Sequence, residues 1–381
     1  MDFLKRAHVW AVWALVAYFA FLASLIYEPV QTGLIYLHGL RFPRGTDFSR
    51  PELVGFAPGK VRPFTLTTDD GVTLGAWHVL PRDRYEEAIE QLGVPEEGHL
   101  PDDVFDQALR NPSNPTTVYF HGNAATRAAG NRVRVARHMS DMNSNFVIID
   151  YRGFADSSRS PPPTEEGLLV DARRAWNYVH RDKGVDPAQI AVMGQSLGTG
   201  VSAGLVARLA DEGISPRALI LVAPFSSIPT LLETYRLGNF IPILSPLRTF
   251  PWLLNSVLQL LKTRFNTHDI IEKVACPILI LHAQNDPVIP FSHSRVLADR
   301  LLGPLLAPHA ASDEAIAEAR RRVVRETKAG GWGVVSRFER EGGRGQVVWA
   351  EAFKGAHNEI GTSEYSIELI KSIVFKGKAA A

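Results

Sequence analysis

Three side chains that could together perform acyl transfer are widely separated along the chain. Ser196 is the third residue of a Gly-Gln-Ser-Leu-Gly pentapeptide, Asp286 precedes a proline, and His357 follows a Gly-Ala pair. A serine hydroxyl is a weak nucleophile at neutral pH and needs a histidine base that is held by a carboxylate. These residue types predict a nucleophile, an acid and a base, provided that the fold brings them together.

The setting of Ser196 is more informative than the pentapeptide, which recurs by chance. Ser196 stands between an apolar predicted strand, Ile190–Gly194, and a predicted helix of small and apolar residues, Leu197–Ala210. Glycines on both sides let strand and helix approach, so the turn can hold the serine in a strained conformation with its hydroxyl exposed. The alternative is a strand-to-helix turn with an incidental serine.

Asp286 lies directly after a predicted strand, Pro277–His282. An acid that serves such a serine belongs in a loop at the carboxyl end of a later strand. The preceding strand, Ala218–Val222, is followed by Ala-Pro-Phe-Ser-Ser and offers no acid. The alternative for Asp286 is a turn-forming aspartate before a proline.

His357 follows the last predicted strand, Gln346–Phe353, and it is the only one of the twelve histidines to do so. His309 also comes late in the chain, but it lies in an insertion before that strand. We therefore expect the imidazole of His357 to reach both Ser196 and Asp286.

Two backbone N–H groups are expected to stabilise the negative charge that develops on the substrate oxygen. One is predicted at Leu197, immediately after the nucleophile. The other is predicted at Asn123, in the His-Gly-Asn-Ala loop that follows the predicted strand Thr116–Phe120. For His121, at the start of that loop, a supporting role is favoured over a catalytic one.

The elements that must position these residues alternate between strand and helix, after a hairpin signal at Asp69-Asp70-Gly71. Such alternation indicates an α/β fold with a mostly parallel central sheet and helices on both faces. The predicted strands are Val61–Thr67, Leu74–Leu80, Thr116–Phe120, Phe146–Asp150, Ile190–Gly194, Ala218–Val222, Pro277–His282 and Gln346–Phe353, and the predicted helices span about 131–142, 165–181 and 197–210.

The N-terminus carries an apolar stretch, Ala7–Tyr27, without Asp, Glu, Lys or Arg. As a helix it would reach roughly 32 Å, enough for a hydrocarbon core of about 30 Å. Lys5 and Arg6 precede it and favour a cytosolic N-terminus. A cleaved signal peptide is the alternative, although its apolar region is normally shorter. We predict a membrane anchor at 1–27, a juxtamembrane connector at 28–58 and a catalytic domain at 59–381.

Insertions interrupt the catalytic domain. Residues 82–115 are acidic and proline-punctuated and predict a surface insertion, and residues 304–344 contain a charged stretch that predicts a helix from Ser312 to about Lys328. Residues 225–270 predict an apolar cap, which either lines an acyl-chain tunnel or packs on the sheet. The cap residues concerned are Phe240, Ile241, Ile243, Leu244, Phe250, Trp252, Leu253, Leu254, Leu258 and Leu261.

The composition excludes one class of partner. The formal net charge is +1, from 41 basic and 40 acidic residues, and no basic stripe is present, so we do not expect binding to nucleic acid. Cys276 is the single cysteine, and its apolar surroundings predict a buried thiol.

Several motifs in this order resemble those of the membrane-anchored α/β-hydrolase-domain lipases that act on monoacylglycerols and lysophosphatidylserine. The resemblance spans about 60 to 357 and includes the N-terminal anchor. The motifs are Tyr119-Phe-His-Gly-Asn-Ala-Ala-Thr-Arg127, Asp150-Tyr-Arg-Gly-Phe154, Gly194-Gln-Ser-Leu-Gly-Thr-Gly200, Ala218-Leu-Ile-Leu-Val-Ala-Pro-Phe225 and Cys276-Pro-Ile-Leu-Ile-Leu-His-Ala-Gln-Asn-Asp-Pro-Val-Ile-Pro290.

The resemblance implies an α/β-hydrolase fold with nucleophile Ser196, acid Asp286 and base His357. It further implies hydrolysis of a lipid ester through an acyl-serine intermediate, without metal or organic cofactor, by a domain on the lumenal side of the endoplasmic reticulum membrane. The alternatives are an acyl-protein thioesterase, or a membrane-tethered interaction protein with vestigial chemistry. Arg127 and Arg132 either meet a phosphate headgroup or are solvated surface cations. Substrate-binding residues and oligomeric state are not assigned.

Overall fold

The computed structural model describes residues 7–237, 241–309 and 312–376, and side chains at the margins of the two internal gaps are left out. In these ranges ten strands form one sheet in the order β1-β2-β4-β3-β5-β6-β9-β12-β11-β10, and β7 pairs only with β8. The strands are β1 Val61–Thr67, β2 Thr73–Val79, β3 Thr116–Phe120, β4 Asn145–Ile149, β5 Ile190–Gln195, β6 Ala218–Val222, β7 Arg236–Leu237, β8 Ile241–Pro242, β9 Ile278–Ala283, β10 Arg325–Ala329, β11 Gly333–Arg340 and β12 Gly345–Ala352.

The strands from β4 to β12 in this order pair in parallel, and antiparallel strands flank them on both sides. The central strands are buried along their whole length, which is why they are continuous apolar runs in the sequence. Side chains of β6 alternate between two cores: Leu219 and Leu221 face one, and Ile220 and Val222 face the other.

Helices cover both faces of the sheet, as predicted. One core receives α6 and α7, and the opposite core receives α5 and α14. The α-helices are α1 Ala7–Ser24, α2 Glu28–Tyr36, α3 Arg82–Leu92, α4 Asp102–Arg110, α5 Gly130–Asp141, α6 Glu165–Asn177, α7 Leu197–Asp211, α8 Ile228–Thr234, α9 Pro251–Gln259, α10 Thr267–Ile270, α11 Ser292–Leu306, α12 Asp313–Val323, α13 Ala356–Glu359 and α14 Glu364–Lys376.

The predicted α/β fold is confirmed, and most predicted elements lie within one or two residues of those observed. The acidic stretch 82–115 folds as α3 and α4 over a small apolar core of its own that includes Tyr85 and Phe105. The helix predicted from Ser312 to Lys328 is too long, since α12 ends at Val323. The chain then forms β10 and β11, which extend the sheet and were not predicted.

The apolar N-terminal stretch forms α1, which is almost entirely exposed and, in the part of the chain that the structure describes, is the one helix long and apolar enough to cross a membrane. Lys5 and Arg6 lie outside the described residues. The phenolic hydroxyl of Tyr18 donates a hydrogen bond of 3.0 Å to the carbonyl oxygen of Ile243. The membrane-helix candidate therefore touches the apolar insertion 225–270.

That insertion folds as α8, the β7–β8 hairpin and α9. Phe240 and the side chain of Ile241 lie outside the described residues. Ile243, Leu244, Leu254, Leu258 and Leu261 are buried in the core, whereas Phe250 and Trp252 are 54% and 69% exposed. Neither predicted role, lining a tunnel or packing on the sheet, fits Phe250 and Trp252, whose side chains are largely exposed.

Candidate active site

Ser196 occupies a sharp turn between β5 and α7. Its φ of 53° lies in the left-handed region, where a non-glycine residue is strained and persists only if its surroundings fix it. The N–H of Ser196 donates to the carbonyl of Val222 on the neighbouring strand β6, over 3.0 Å. The hydroxyl lies at the start of α7, where the first N–H groups have no acceptor within the helix.

The two glycines of the pentapeptide are required by close packing. A Cβ placed on Gly194 would lie 2.2 Å from the carbonyl oxygen of Gly198, and one on Gly198 would lie 1.9 Å from the carbonyl oxygen of Phe120. Both distances are far below van der Waals contact. Strand β3, the turn and α7 therefore meet backbone to backbone, as the sequence predicts.

Asp286 and His357 lie in hydrogen-bond contact, although 71 residues separate them. Asp286 follows β9 and His357 lies on α13 after β12, and these two strands are parallel neighbours. Their carboxyl ends therefore open on the same edge of the sheet. There His357 Nδ1 donates to Asp286 Oδ2 over 2.7 Å, and the Ala356 N–H donates to Asn285 Oδ1 over 3.0 Å, joining the two loops.

A polar chain links His357 to the nucleophile turn. The side-chain amide of Gln195, the residue before Ser196, donates to the carbonyl oxygen of His357 over 3.2 Å. The amide oxygen of Gln195 accepts from the hydroxyl of Tyr119 over 2.8 Å. The predicted acid and base are thus in contact, and Gln195 ties the backbone of His357 to the turn that carries Ser196.

Asp286 is held ionised by the donors around it. Burial by itself would raise the pKa of this carboxyl, but hydrogen bonds from His282 and His357 and the charge of His357 hold the pKa well below its ordinary value. Backbone N–H groups of Val288 and Ile289 donate to Oδ1 over 2.8 and 2.9 Å. An acid so placed can orient the imidazole and stabilise its positive charge.

His282 is a contact of Asp286 that the sequence reasoning missed. It is fully buried at the end of β9, and its Nε2 lies 3.3 Å from Asp286 Oδ2 and 3.0 Å from the carbonyl oxygen of Ile289. The sequence offers one signal for this contact: a histidine in the strand, four residues before the acid and in the same motif. It contacts the same carboxylate oxygen, Oδ2, as His357 does.

The loop after β3 passes directly over the nucleophile. A Cβ on Gly122 would lie 3.1 Å from Cβ of Ser196, and Asn123 and Leu197 line one pocket together with Ser196. Ala124 and Ala125 both have φ of 55°, so this loop is also held in a strained conformation. The two residues whose N–H groups are predicted to receive the oxyanion thus line the same pocket as Ser196.

The two arginines near this loop are neither headgroup ligands nor solvated cations. Arg132 is 4% exposed, and its Nη2 donates to the carbonyl oxygens of Gly122, Asn123 and Ala124 over 3.1, 3.3 and 2.8 Å. Arg127 is 2% exposed and binds carboxylates of the protein itself. Both predicted roles are wrong, because both guanidinium groups are buried by the fold and serve to hold the loop.

Asp150 is the partner that explains the Asp-Tyr-Arg motif. It is fully buried, accepts from Arg127 Nη1 over 2.7 Å, and lies 3.1 Å from Nε2 of His121. Burial favours its neutral form, but His121 and Arg127 outweigh this and lower the pKa of Asp150. His121 therefore acts in support, and Tyr151 adds a hydrogen bond from its hydroxyl to the His121 carbonyl over 3.0 Å.

A narrow apolar pocket of about 50 Å³ opens on Ser196. Its walls come from α2, from the loop after Asp286 and from α8, which lies within the predicted cap 225–270. The ten cap residues named from the sequence are not among the lining residues, as far as the structure describes their side chains. Aliphatic and aromatic side chains dominate the lining, which suits a hydrocarbon chain. The lining residues are Leu34, Ile35, Asn123, Ser196, Leu197, Phe225, Ile228, Leu231, Leu232, Tyr235, Val288 and Ile289.

A serine at a strand-to-helix turn, with an aspartate–histidine pair at the carboxyl ends of parallel strands, defines a hydrolase of the α/β-hydrolase class. Residues 117–301 match the family profile described as alpha/beta hydrolase fold. The Pyrococcus furiosus esterase superposes with a TM-score of 0.53 at 12% identity, over 89% of this chain and 98% of that chain. An alpha-beta hydrolase from Vibrio vulnificus superposes with a TM-score of 0.51 at 17% identity, over 71% of this chain and 81% of that chain. These two structures show the shared fold.

Sequence relatives place the chain more closely. Lysophosphatidylserine lipase ABHD12 of Danio rerio is 32% identical over 289 residues, which cover 76% of this chain and 71% of that protein. The Xenopus tropicalis protein of the same name is 33% identical, over 69% of this chain and 63% of that protein. Protein ABHD12B of Homo sapiens is 31% identical, over 71% of this chain and 70% of that protein. The chain belongs to this α/β-hydrolase family and is a lipase-type serine hydrolase of carboxylic esters.

The contact at Gly198 gives a stability test. We expect Gly198→Ala to destabilise the protein by at least about 3 kcal/mol, because the added methyl group collides with strand backbone that cannot move aside. Gly303→Ala, on an exposed helix position with open space around it, should leave the melting temperature unchanged or slightly raised. Thermal unfolding of both detergent-solubilised variants measures this, and equal melting temperatures would contradict the required backbone contact.

Proposed function

We propose that this chain hydrolyses esters of single-chain lipids, either a lysophospholipid such as lysophosphatidylserine or a monoacylglycerol. The observation that carries the proposal is the apolar pocket that opens directly on Ser196. Its mainly aliphatic and aromatic lining suits a hydrocarbon chain, with the ester carbonyl beside the serine hydroxyl. The printed names of the relatives, lysophosphatidylserine lipases, support the same substrate class.

In the proposed mechanism Ser196 Oγ attacks the ester carbonyl while His357 Nε2 takes the hydroxyl proton. Asp286 accepts from Nδ1 of His357 and stabilises the imidazolium. The N–H groups of Leu197 and Asn123 donate to the oxyanion of the tetrahedral intermediate. His357 then gives its proton to the leaving glycerol oxygen, which departs and leaves an acyl-serine.

Water completes the reaction in the second half. His357 removes a proton from the water as it attacks the acyl-serine carbonyl, and the same N–H groups receive the second oxyanion. Collapse of this intermediate returns the proton to Ser196 and releases the fatty acid. Every step uses a side chain or backbone group of this chain.

Labelling tests the role of Ser196. A fluorophosphonate probe should label the full-length protein and fail to label Ser196→Ala, whose esterase kcat should fall by about 10⁴-fold or more. Ser256→Ala is the matched control, because Ser256 is exposed in α9 and bonds only the carbonyl of its own helix. Equal labelling of parent and Ser196→Ala, or labelling of neither, would exclude this mechanism.

A substrate panel tests the lipid assignment. Purified protein in detergent micelles should hydrolyse lysophosphatidylserine and monoacylglycerol with kcat/KM at least about 10-fold above that for an S-acylated peptide, because the pocket lining is mainly aliphatic and the relatives are named for a single-chain lipid. Fatty acid release measured by mass spectrometry gives the three values. A higher kcat/KM for the peptide would assign a thioesterase instead.

We further infer that residues 1–27 anchor the protein in the endoplasmic reticulum membrane and that the domain from residue 59 lies in the lumen. The apolar helix α1 and the basic pair that precedes it in the sequence support this orientation. In sealed microsomes, added protease should leave the domain intact until detergent opens the vesicles. Digestion of the domain in intact vesicles would place it on the cytosolic side.

A further inference from the structure

Residues 28–44, here called the juxtamembrane strap, lie between the apolar helix α1 and the catalytic domain. The sequence predicts only a connector in this region. In the structure the strap begins with α2, and two consecutive side chains of that helix, Leu34 and Ile35, line the pocket that opens on Ser196. Ile35 is 8% exposed, so most of its surface is already used against the protein.

The strap also holds the loop that follows β3. Three consecutive N–H groups of that loop, at 124, 125 and 126, donate to carbonyl oxygens of the strap. The acceptors are Tyr36, Leu40 and Phe42, over 2.9, 2.7 and 3.0 Å. The side-chain amide of Asn123 adds a bond of 3.3 Å to the carbonyl of Ile35. The strap therefore runs beside the loop and satisfies its donors in order.

The loop is gripped from the other side by Arg132, which binds its carbonyl oxygens. A strained backbone such as that of Ala124 and Ala125 persists only where the surrounding contacts outweigh a cost of about 1–3 kcal/mol per residue. The strap supplies bonds to N–H groups and Arg132 supplies bonds to carbonyl groups. Together they fix the loop that carries Asn123, which lines the pocket with Ser196.

Hydrogen bonds also hold the strap to the chain directly after α1 and to the cap. The side chain of Gln31 donates to the carbonyls of Leu25 and Leu260 over 2.6 and 2.9 Å and accepts from the N–H of Lys262 over 3.0 Å. Tyr36 is fully buried, and its hydroxyl bonds Thr263 over 3.0 Å. The pocket wall at Leu34 and Ile35 is thus a fixed surface, tied to the end of α1 and to the cap.

We propose that the juxtamembrane strap is a working part of the active site, in which Ile35 sets the length of acyl chain that the pocket accepts. This inference rests on the proposed function, because it assigns the pocket to the acyl chain of the ester. The opposite wall comes from Leu231 and Leu232 of α8 and from Ile289, which are also aliphatic. A change of volume at Ile35 therefore changes the space for the chain.

The test uses full-length protein and a series of p-nitrophenyl esters from acetate through octanoate and laurate to palmitate. Ile35→Trp should lower the ratio of kcat/KM for laurate to kcat/KM for acetate at least about 10-fold, because only the long chain needs the filled space. Ile35→Ala should move the best substrate to a longer chain. Leu53→Trp, at a position 62% exposed and away from the pocket, should leave the chain-length profile unchanged.

The outcomes separate this inference from the proposed function. A parent protein that hydrolyses none of the esters and is not labelled by the fluorophosphonate probe overturns the proposed function. An active parent whose chain-length profile is the same in Ile35→Trp and Ile35→Ala overturns only the role of the strap. A parallel loss on acetate and laurate in both variants also overturns it, since Ile35 would then support folding alone. If Ile35→Trp does not fold, the shift in Ile35→Ala decides the question.

Discussion

The active site depends on the close contact between Gly198 in α7 and the backbone of Phe120 at the end of β3. The helix can approach the sheet this closely only because position 198 has no side chain. The approach forces the sharp turn at Ser196 and brings the following loop over the nucleophile. A larger residue at 198 would move α7 outward and separate the serine from Asn123 and from the loop that carries His357.

Buried charge surrounds this contact and holds the loop after β3. Asp150 has no exposed surface, and its carboxylate oxygens lie in ion-pair contact with Arg127 and His121. Arg132 binds the loop carbonyls. Burying such groups costs free energy, which pairing and complete hydrogen bonding must offset. These contacts fix the N–H groups of the loop before substrate arrives. An enzyme with donors fixed in advance stabilises developing charge without reorganising its active site. Side chains that could have met a headgroup are used inside the fold.

The apolar helix α1, the strap and the cap form one continuous structure on the side of the protein where the pocket opens. Tyr18 bonds the cap, Gln31 bonds both the cap and Leu25 directly after α1, and Ile35 lines the pocket. Trp252 and Phe250 project beside them with large apolar surfaces exposed. The proposed substrate, an ester drawn from a bilayer, and a pocket wall built next to the membrane-helix candidate are consistent with one another, since both shorten the path of an acyl chain through water.

Much of the fold could be read from the sequence, because buried parallel strands are continuous apolar runs and helices have a different period. The carboxyl ends of such strands face one edge of the sheet, so Ser196, Asp286 and His357 could be placed from chain order alone. Strands β10 and β11 could not be predicted from the sequence. An exposed edge strand such as β10 is charged and resembles a helix until its partner strand is known.

The sequence by itself determined the candidate nucleophile, acid and base, the α/β fold and the apolar N-terminal helix, because each follows from local pattern and strand order. Only the tertiary structure decided that Arg127 and Arg132 are buried, that His282 contacts Asp286, and that residues 28–44 line the pocket. These are contacts between segments distant in the chain, and no local pattern encodes which buried partner a polar side chain will meet.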